Sequence, residues 1–322
     1  MARLLEVRNI SVGIKKNDRY MKAVNNVSFT IDEGEILGIA GESGCGKTLT
    51  ALSIPNLISE RKKILGGEII FDNRNLLNLT NKQISAVRAG EISMIFQEIR
   101  ESLNPLLKAG IQITEKLEIN GGGKAQNKAK VLDMLEELGF HEPEKIYSAY
   151  PHQLSGGMCQ RIMAAIAAIG RPRLLIADEP SSALDSESEE KILSLLAKMN
   201  REYKMSVLII SHDLSIIRRF CSRYLVMYAG RIVEEGASSD FSFALHPYTN
   251  ALVNAIPSKE KRGGKLKNIP GKVPSIEDDL TGCPFAPRCK KAQKRCHNAF
   301  PPLAEINGQR AYCYFPETGE AL

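Results

Sequence analysis

The sequence "GESGCGKT" at residues 41–48 sets the fold class of this chain. A glycine, four residues and then Gly-Lys-Thr is the pattern of a phosphate-binding loop. The run "GEILGIA" before it predicts a strand, and "KTLTALSIPNLI" after it predicts a helix, which is the context that such a loop requires. Glycines let backbone N–H groups turn toward phosphates, and the following helix adds its positive N-terminus. We therefore predict an α/β fold with a phosphate site here.

The residues of this loop have separate expected roles. Lys47 would place a positive charge on the β- and γ-phosphates, and the Thr48 hydroxyl would bind Mg²⁺. The rest of the predicted cofactor-binding set in this region is Gly41, Ser43, Gly44, Cys45, Gly46 and Leu49.

A second chemical motif is "RLLIADEP" at residues 173–180, an apolar strand that ends in two acids. We expect Asp178 to hold the Mg²⁺ shell and Glu179 to orient or deprotonate an attacking water. Further apolar runs, "EISMIFQ" and "SVLIISHD", predict strands that alternate with helical stretches such as "EEKILSLLAKMNREY". This alternation favours an α/β layer fold.

Composition limits the class of protein. Hydrophobic residues make up 43% and charged residues 25% of 322, which is ordinary for a soluble globular chain. Apolar runs such as "IMAAIAAI" are shorter than the roughly 20 residues that a membrane helix needs, and the N-terminus lacks a signal-peptide core. We expect a cytoplasmic protein, in which disulfides are rare and clustered cysteines more often bind metal.

Positive charge is concentrated near the C-terminus. The chain carries a net charge of +6, and residues 259–295 contain eleven Lys or Arg against four Asp or Glu. Such a segment is a solvated surface, a contact for anionic lipid or nucleic acid, or compensation for a negatively charged cofactor. Composition changes after "HPYTNALVNAIP", so we place a nucleotide-binding domain at 1–255, with a helical subdomain at about 98–168. A linker and a cysteine-rich extension follow at 256–322.

The motif "LSGGMCQR" at 154–161 resembles the signature of the ATP-binding cassette (ABC) ATPases. This resemblance implies a P-loop NTPase of the ABC type: a mixed sheet core, an inserted helical subdomain and, here, a small cysteine-rich C-terminal extension. In that family Ser155, Gly156 and Gly157 would contact the γ-phosphate of ATP held by a second subunit.

The resemblance extends to other positions in the family's order. Gln97 in "IFQE" is similar to the glutamine that links Mg²⁺ to the transporter contact, and Asp185 ends "SALD", a loop that crosses the dimer interface. His212 in "ISHD" is similar to the switch histidine that contacts the γ-phosphate. Tyr20 is the nearest candidate for the aromatic residue that stacks on adenine.

Three further phrases, "ESLNPLLKAGIQITE", "HPYTNALVNAIP" and "GCPFAPRC", resemble the oligopeptide/dipeptide/nickel importer ATPases. One departure is Ile99, where that group commonly has proline. The resemblance implies an ATP-hydrolysing subunit that drives uptake of di- or oligopeptides and lies peripherally on the cytoplasmic face of the membrane. Its implied partners are a paralogous ATPase subunit, two transmembrane permease subunits and an extracytoplasmic peptide-binding protein, with no nucleic acid expected.

Two alternatives stay open at this point. The chain could serve a nickel or other metal importer of the same group. It could also be a nucleic-acid-stimulated ABC ATPase with a zinc-binding basic tail, for which salt-dependent DNA binding would be the test. The identity of the transported solute is not encoded in any of these motifs.

Four cysteines occupy the tail: Cys283, Cys289, Cys296 and Cys313. Their spacing lacks the close C-x2–4-C pairs of structural zinc sites, whereas four separated thiolates can hold a [4Fe–4S] cluster. The resemblance points the same way, with zinc and a redox or unliganded role as alternatives. We expect neighbouring cations to stabilise such an anionic cluster and to lower the thiol pKa values; they are Arg288, Lys290, Lys291, Lys294 and Arg295.

Overall fold

The computed structural model describes residues 2–96, 102–118, 123–181, 185–255, 269–278 and 280–317. In these ranges the strands are β1 (Arg3–Lys16), β2 (Arg19–Asp32), β3 (Ile36–Ala40), β4 (Lys62–Phe71), β5 (Arg74–Asn75), β6 (Ile92–Ile95), β7 (Leu174–Asp178), β8 (Ser206–Ser211), β9 (Arg223–Tyr228), β10 (Arg231–Ala237), β11 (Leu303–Ile306) and β12 (Gln309–Tyr312). The helices are α1 (Lys47–Ser53), α2 (Asn81–Gly90), α3 (Ala109–Glu118), α4 (Lys124–Glu137), α5 (Pro143–Ser148), α6 (Gly156–Ile169), α7 (Ser186–Tyr203), α8 (Leu214–Phe220), α9 (Pro247–Ala255) and α10 (Lys294–Asn298).

The chain divides into two compact units. The first contains Met1–Leu4, Ile31–Ile36 and Asn78–Ile210, and the second contains Leu5–Thr30, Leu37–Leu77 and Ser211–Leu322. The predicted boundary at residue 255 stays a prediction, because this division follows packing within the structure and not the change in composition.

The first unit is built on parallel strands with helices packed around them. Strand β7 pairs with β6 on one side and with β8 on the other, both in parallel register. All residues of β7 and β8 are buried, as expected for strands covered on both faces. The apolar runs "RLLIADEP" and "SVLIISHD" therefore form the predicted strands.

Helix α7 shows how the sequence sets a helix and its ends. Asp185 caps its first turn by accepting a hydrogen bond from the backbone N–H of Ser188 at 2.9 Å. The left-handed conformation of Lys204 ends it. One face is buried, and it contains Ile192, Leu193, Leu195, Leu196 and Met199 at helical spacing.

The second unit contains the phosphate loop and a mixed arrangement of strands. Strand β3 lies parallel to β9, and β10 lies antiparallel to β9. A separate antiparallel sheet has the order β2-β1-β4-β5. Parallel and antiparallel pairs thus occur side by side, and the expected mixed-sheet α/β fold of a P-loop NTPase is confirmed.

The C-terminal segment contributes a hairpin that the sequence analysis did not identify. Strands β11 and β12 pair with each other, and β12 pairs with β10 through Glu234↔Ala311 and Glu235↔Arg310. The turn between them is Asn307-Gly308, with φ of 51° and 82°. Asn-Gly at a two-residue turn is a strong hairpin signal, so this element could have been recognised from the sequence.

Candidate nucleotide-binding site

The phosphate loop connects β3 to α1 in the second unit. Gly41, Gly44 and Gly46 have φ of 150°, 78° and 104°, conformations that L side chains rarely adopt. A Cβ on Gly41 would lie 2.3 Å from the carbonyl oxygen of Met227, so the close approach of the two backbones also requires glycine. Gly46 begins α1 without a side-chain cap. The first turn of α1 is thus open toward an anion.

The Lys47 side chain folds back over this loop. Its Nζ donates hydrogen bonds to the carbonyl oxygens of Gly41 at 2.7 Å and Glu42 at 3.1 Å. The ammonium is thereby held over the curve of the loop, while Ser43, Gly44 and Thr48 form the exposed part. This arrangement offers one fixed cation, a hydroxyl and backbone N–H groups to a phosphate chain.

Cys45 and Leu49 belong to the interior side of the loop. Both are buried, and burial raises the pKa of the Cys45 thiol. Their contribution to a nucleotide site is therefore through the backbone and packing. The roles of the loop residues toward a nucleotide stay predictions.

The two acids of the second motif lie where β7 ends, in the first unit. Asp178 is the last residue of β7 and is buried. Glu179 has a positive φ of 52°, and its backbone N–H donates to the carbonyl oxygen of Ile210 at 3.0 Å. A left-handed conformation costs a residue with a side chain roughly 1–2 kcal/mol. The chain therefore changes direction directly after β7, at Glu179, the residue that we expect to orient or deprotonate the water.

The signature motif begins helix α6 in the same unit. Ser155 is exposed, caps the helix and accepts a hydrogen bond from the backbone N–H of Met158 at 3.3 Å. Farther along the helix, the side-chain amide of Gln160 donates to the carbonyl oxygen of Pro180. Arg161 donates to the carbonyl oxygen of Leu138 at 3.0 Å. Gly156 and Gly157 follow the cap with no side chain to shield the helix N-terminus.

Other predicted residues have individual positions. His212 is exposed just after β8, next to Asp213, whose carboxylate caps α8. Asp185 caps α7, and hydrogen bonds from Ser188 lower the pKa of this exposed carboxyl. Tyr20 lies on β2 with 39% of its surface exposed. Gln97 and residues 182–184 lie outside the described residues.

Comparisons with known proteins bear on this geometry. The sequence matches the family described as "ABC transporter" over residues 24–182, and "Oligopeptide/dipeptide transporter, C-terminal region" over 233–296. The oligopeptide transport ATP-binding protein OppD of Salmonella typhimurium is 41% identical over 97% of this chain and 94% of its own length. The chain belongs to the ABC transporter ATP-binding proteins of the oligopeptide/dipeptide type.

One further relative agrees with this assignment, and one solved structure agrees with the ATP-binding cassette fold. A probable peptide ABC transporter ATP-binding protein of Sinorhizobium fredii is 43% identical over 97% of this chain and 94% of its own length. Among solved structures, the post-hydrolysis dimer of the ATP-binding cassette MJ0796 with ADP and Pi has a TM-score of 0.67 and 29% identity. It covers 73% of this chain and 99% of its own. In this ABC ATP-binding protein, no helix of the described part is long and apolar enough to cross a membrane.

The four tail cysteines of this ABC protein line one small cavity in the second unit, together with His246 and Phe285. We call residues 269–278 and 280–317 the cysteine-bearing segment. The expectation of lowered thiol pKa values is wrong: burial raises the pKa of Cys283 and Cys313 to about 11 and also raises that of Cys289. Lys291 opposes this rise at Cys289 and Cys313, but desolvation is the larger effect.

Two of the other named cations, Arg288 and Arg295, have partners of their own. Arg288 pairs with Glu42, and the Arg295 guanidinium lies 4.0 Å from the ring centroid of Phe315. Within the described ranges, no group of three or more His, Cys, Asp or Glu has the placement to hold one metal ion. The cysteines share a cavity without forming a compact single-ion site.

Sequence reasoning missed three residues that connect this cavity to the phosphate loop: His246, Tyr248 and Arg288. His246 and Tyr248 belong to "HPYTNALVNAIP", a sequence that resembles the family but does not indicate which residues the two side chains contact. Arg288 looked like one of several surface cations, yet its side chain is only 4% exposed. A buried arginine is uncommon unless it is paired, so its partner is informative.

Proposed function

We propose that this chain is the ATP-hydrolysing subunit of an ABC importer that takes up di- or oligopeptides. The observation that carries the proposal is the pre-formed phosphate loop, in a chain similar over 97% of its length to a named oligopeptide transport ATP-binding protein. The proposal covers both di- and oligopeptides because the named relatives include both oligopeptide and dipeptide transport proteins.

In this proposal the phosphate loop binds the nucleotide. Lys47 and the backbone N–H groups of residues 43–48 contact the β- and γ-phosphates, and the tight fold of Lys47 onto Gly41 and Glu42 keeps its charge in place. Mg²⁺, when bound by Thr48, Asp178 and Gln97, would neutralise phosphate charge.

Hydrolysis then requires a base and a positioned water. Glu179 accepts the proton of the water, whose oxygen attacks the γ-phosphorus while the bond to the β–γ bridging oxygen breaks, giving ADP and phosphate. His212, exposed at the end of β8, contacts the γ-phosphate and senses whether it is present. Ser155 and the start of α6 bind the γ-phosphate of a second cassette, and Asp185 lies at that interface.

Support for the assembly comes from the likeness to named peptide transport ATP-binding proteins. We propose that the partner cassette is a paralogous ATPase subunit, and that two transmembrane permease subunits and an extracytoplasmic peptide-binding protein complete the importer. The chain would dock on the cytoplasmic face of the membrane. Closing of the cassettes around ATP and reopening after hydrolysis would move the permease subunits.

We further propose a [4Fe–4S] cluster on Cys283, Cys289, Cys296 and Cys313. Support comes from the shared cavity and from His246, which also lines it. The His246 Nδ1 accepts the backbone N–H of Tyr248 at 3.1 Å, so the proton lies on Nε2, a buried donor without a partner among the described residues. An anionic sulfur cluster would satisfy that donor. It is also larger than a single ion, so its thiolates lie farther apart than those around zinc.

The ATPase assignment is tested with Glu179→Gln in the purified full-length chain. We expect ATP binding to remain while hydrolysis falls at least about 100-fold, the range for loss of a general base. Glu187→Gln is a matched control, because it makes the same change at an exposed helix carboxylate that pairs with Lys191. Normal hydrolysis by Glu179→Gln would contradict the assigned role.

The importer assignment needs the complex. We expect peptide and binding protein to stimulate hydrolysis when the chain is reconstituted with its permease subunits in vesicles. Stimulation by DNA, with salt-dependent binding, would instead support the nucleic-acid alternative.

The cluster is tested by iron, acid-labile sulfide and zinc analysis of protein purified without oxygen. We expect iron and sulfide near four per chain, as four Cys ligands imply, and their loss in Cys289→Ser. Cys221→Ser is the control, because that thiol is buried elsewhere in the same unit and does not line the cysteine cavity. Stoichiometric zinc without sulfide would overturn the cluster.

A further inference from the structure

A buried arginine of the second unit, Arg288, forms an ion pair with Glu42 of the phosphate loop. Arg288 Nη1 lies 2.7 Å from Glu42 Oε2, and Nη2 lies 3.1 Å from Glu42 Oε1, which makes a bidentate pair. Its Nε donates to the carbonyl oxygen of Pro270 at 2.8 Å. Nη1 also contacts the Tyr228 hydroxyl at 3.2 Å. Nearly all of this guanidinium is therefore committed to fixed partners.

Glu42 is the second residue of "GESGCGKT", and it is held from three sides. Its carboxylate pairs with Arg288, its backbone N–H donates to the Tyr248 hydroxyl at 2.9 Å, and its carbonyl accepts from Lys47 Nζ. A displacement of Glu42 would move the backbone between Gly41 and Ser43 and the carbonyl that positions Lys47. The position of Glu42, at the start of the loop, is thus fixed in part by residues outside the loop.

A short hydrogen-bonded turn connects Arg288 to the residues that line the cysteine cavity. It ends a 3₁₀ turn at Ala286–Arg288, and Cys289 follows directly. The backbone N–H of Ala286 donates to the carbonyl of Cys283 at 3.0 Å. Phe285, just before the turn, packs against Tyr228 and Tyr248 with ring centroids 5.3 and 5.2 Å apart. Displacement of the cysteines would therefore displace Arg288.

A second feature lies beside the loop. A cavity of about 400 Å³ is lined by Gly44 and, in the cysteine-bearing segment, by the aliphatic Ile276 and Leu280 and the acidic Glu277 and Asp278. Its volume lies within the range of small-ligand sites. Ile276 and Leu280 are 39% and 37% exposed, so apolar surface of the segment faces outward next to the phosphate loop.

We infer that the cysteine-bearing segment is part of the nucleotide site: Arg288 positions the phosphate loop through Glu42, and Ile276 and Leu280 form a wall for the adenosine part of ATP. The inference rests on the proposed ATPase function. It makes Arg288 a positioning residue, since it acts on the nucleotide only through Glu42. It also predicts that Ile276 and Leu280 make the site bind a nucleotide, which carries a base, more tightly than a bare phosphate chain.

The test compares two probes, ATP and inorganic tripolyphosphate, by equilibrium binding to the full-length protein. We expect Arg288→Gln to weaken both probes about tenfold, because loss of one bidentate charged pair affects the loop itself. Leu280→Ser should weaken ATP roughly threefold and leave tripolyphosphate unchanged, because it removes apolar contact to the base alone. Arg310→Gln, which removes a segment arginine that pairs with Glu235 on the surface, should change neither.

The outcomes separate a positioning role from a structural one. A purely structural Arg288 would lower the unfolding temperature but leave the affinities of the folded protein unchanged, and that result would overturn the inference. If Arg288→Gln does not fold, Glu42→Gln breaks the same pair from the loop side, and ATP affinity equal to wild type would again overturn it. Wild-type protein that binds no ATP would instead refute the proposed function.

Discussion

The phosphate loop and the cysteine-bearing segment belong to the same unit but are held in shape by different means. Apart from Glu42, which Arg288 and Tyr248 hold, the loop takes its conformation from its own backbone: positive φ at Gly41, Gly44 and Gly46, with Lys47 bonded back onto it. The segment has little regular structure between residues 269 and 302. It depends on side chains from distant parts of the chain, such as Phe285 on Tyr228 and Tyr248.

This difference shows where each region is sensitive. A backbone-determined loop fails when a glycine is replaced, whereas a side-chain-determined segment fails when one large buried group is removed. The Arg288–Glu42 pair is where the two regions meet, so damage to either should reach the other. Four changes test this comparison.

The largest effect is expected from Phe285→Ala. Phe285 is 3% exposed and touches two other buried rings, so its removal should lower the free energy of unfolding by about 3–5 kcal/mol. Urea unfolding of the full-length chain measures it. Phe243→Ala, an aromatic residue 50% exposed in the same unit, should cost about 0.5 kcal/mol or less. Equal losses for both variants would show that the ring cluster does not hold the segment.

Gly41→Ala should come next. Its new Cβ would lie 2.3 Å from the Met227 carbonyl oxygen, and relief of that overlap needs movement of two backbones. We expect a loss of roughly 3 kcal/mol in stability, at the upper end for overpacking, together with loss of ATP binding. Retained ATP affinity would mean that the loop tolerates another path, and the comparison would then fail on the loop side.

In protein that carries no cluster, acid should lower the free energy of unfolding through His246, which lines the cysteine cavity. Burial lowers the pKa of this histidine to about 3, below the unfolded value near 6.5. Between these values the unfolded chain binds an extra proton, so stability falls as the pH falls from about 6.5 toward 3. At pH 5 the loss from this group should be about 2 kcal/mol relative to pH 7.

The measurement compares urea unfolding of wild type and His246→Gln at pH 7 and pH 5. All other groups titrate in both proteins, so the difference between the two pH slopes isolates the histidine. Parallel slopes would show that His246 is not held neutral in the folded protein.

The smallest effect is expected from Gly44→Ala. Nothing lies within 4 Å of a Cβ placed there, so the change lacks the overlap that Gly41 meets. The φ of 78° still disfavours alanine, by about 1 kcal/mol. Thermal unfolding of the two glycine variants side by side measures how much of the loop's glycine requirement is backbone strain and how much is close contact.

The sequence predicted the loop better than the segment for a physical reason. The strand, loop and helix around residues 36–53 are consecutive, and glycine placement reports their conformation directly. Arg288 and Glu42 are 246 residues apart, and no local pattern encodes such a pair. The same limit explains why lysines and arginines near the cysteines suggested lowered thiol pKa values: burial, the opposing effect, is a property of the folded chain.

The β11–β12 hairpin is only partly predictable from local sequence. Asn307-Gly308 is a local signal that could have located the turn, but pairing of β12 with β10 depends on the rest of the sheet. The roles of Glu179, His212 and Ser155 remain predictions because they concern a bound nucleotide and a second subunit.

The β11–β12 hairpin also bears on how the protein avoids self-association. Without it, β10 (Arg231–Ala237) would expose a row of unpaired N–H and carbonyl groups along one side, a template for pairing with another chain. The hairpin covers that side and leaves as the new border β11, only four residues long and carrying Glu305. A chain shortened before Leu303 would lose Cys313 and would also leave β10 as an unpaired edge strand. We therefore expect it to aggregate even where its nucleotide site is intact.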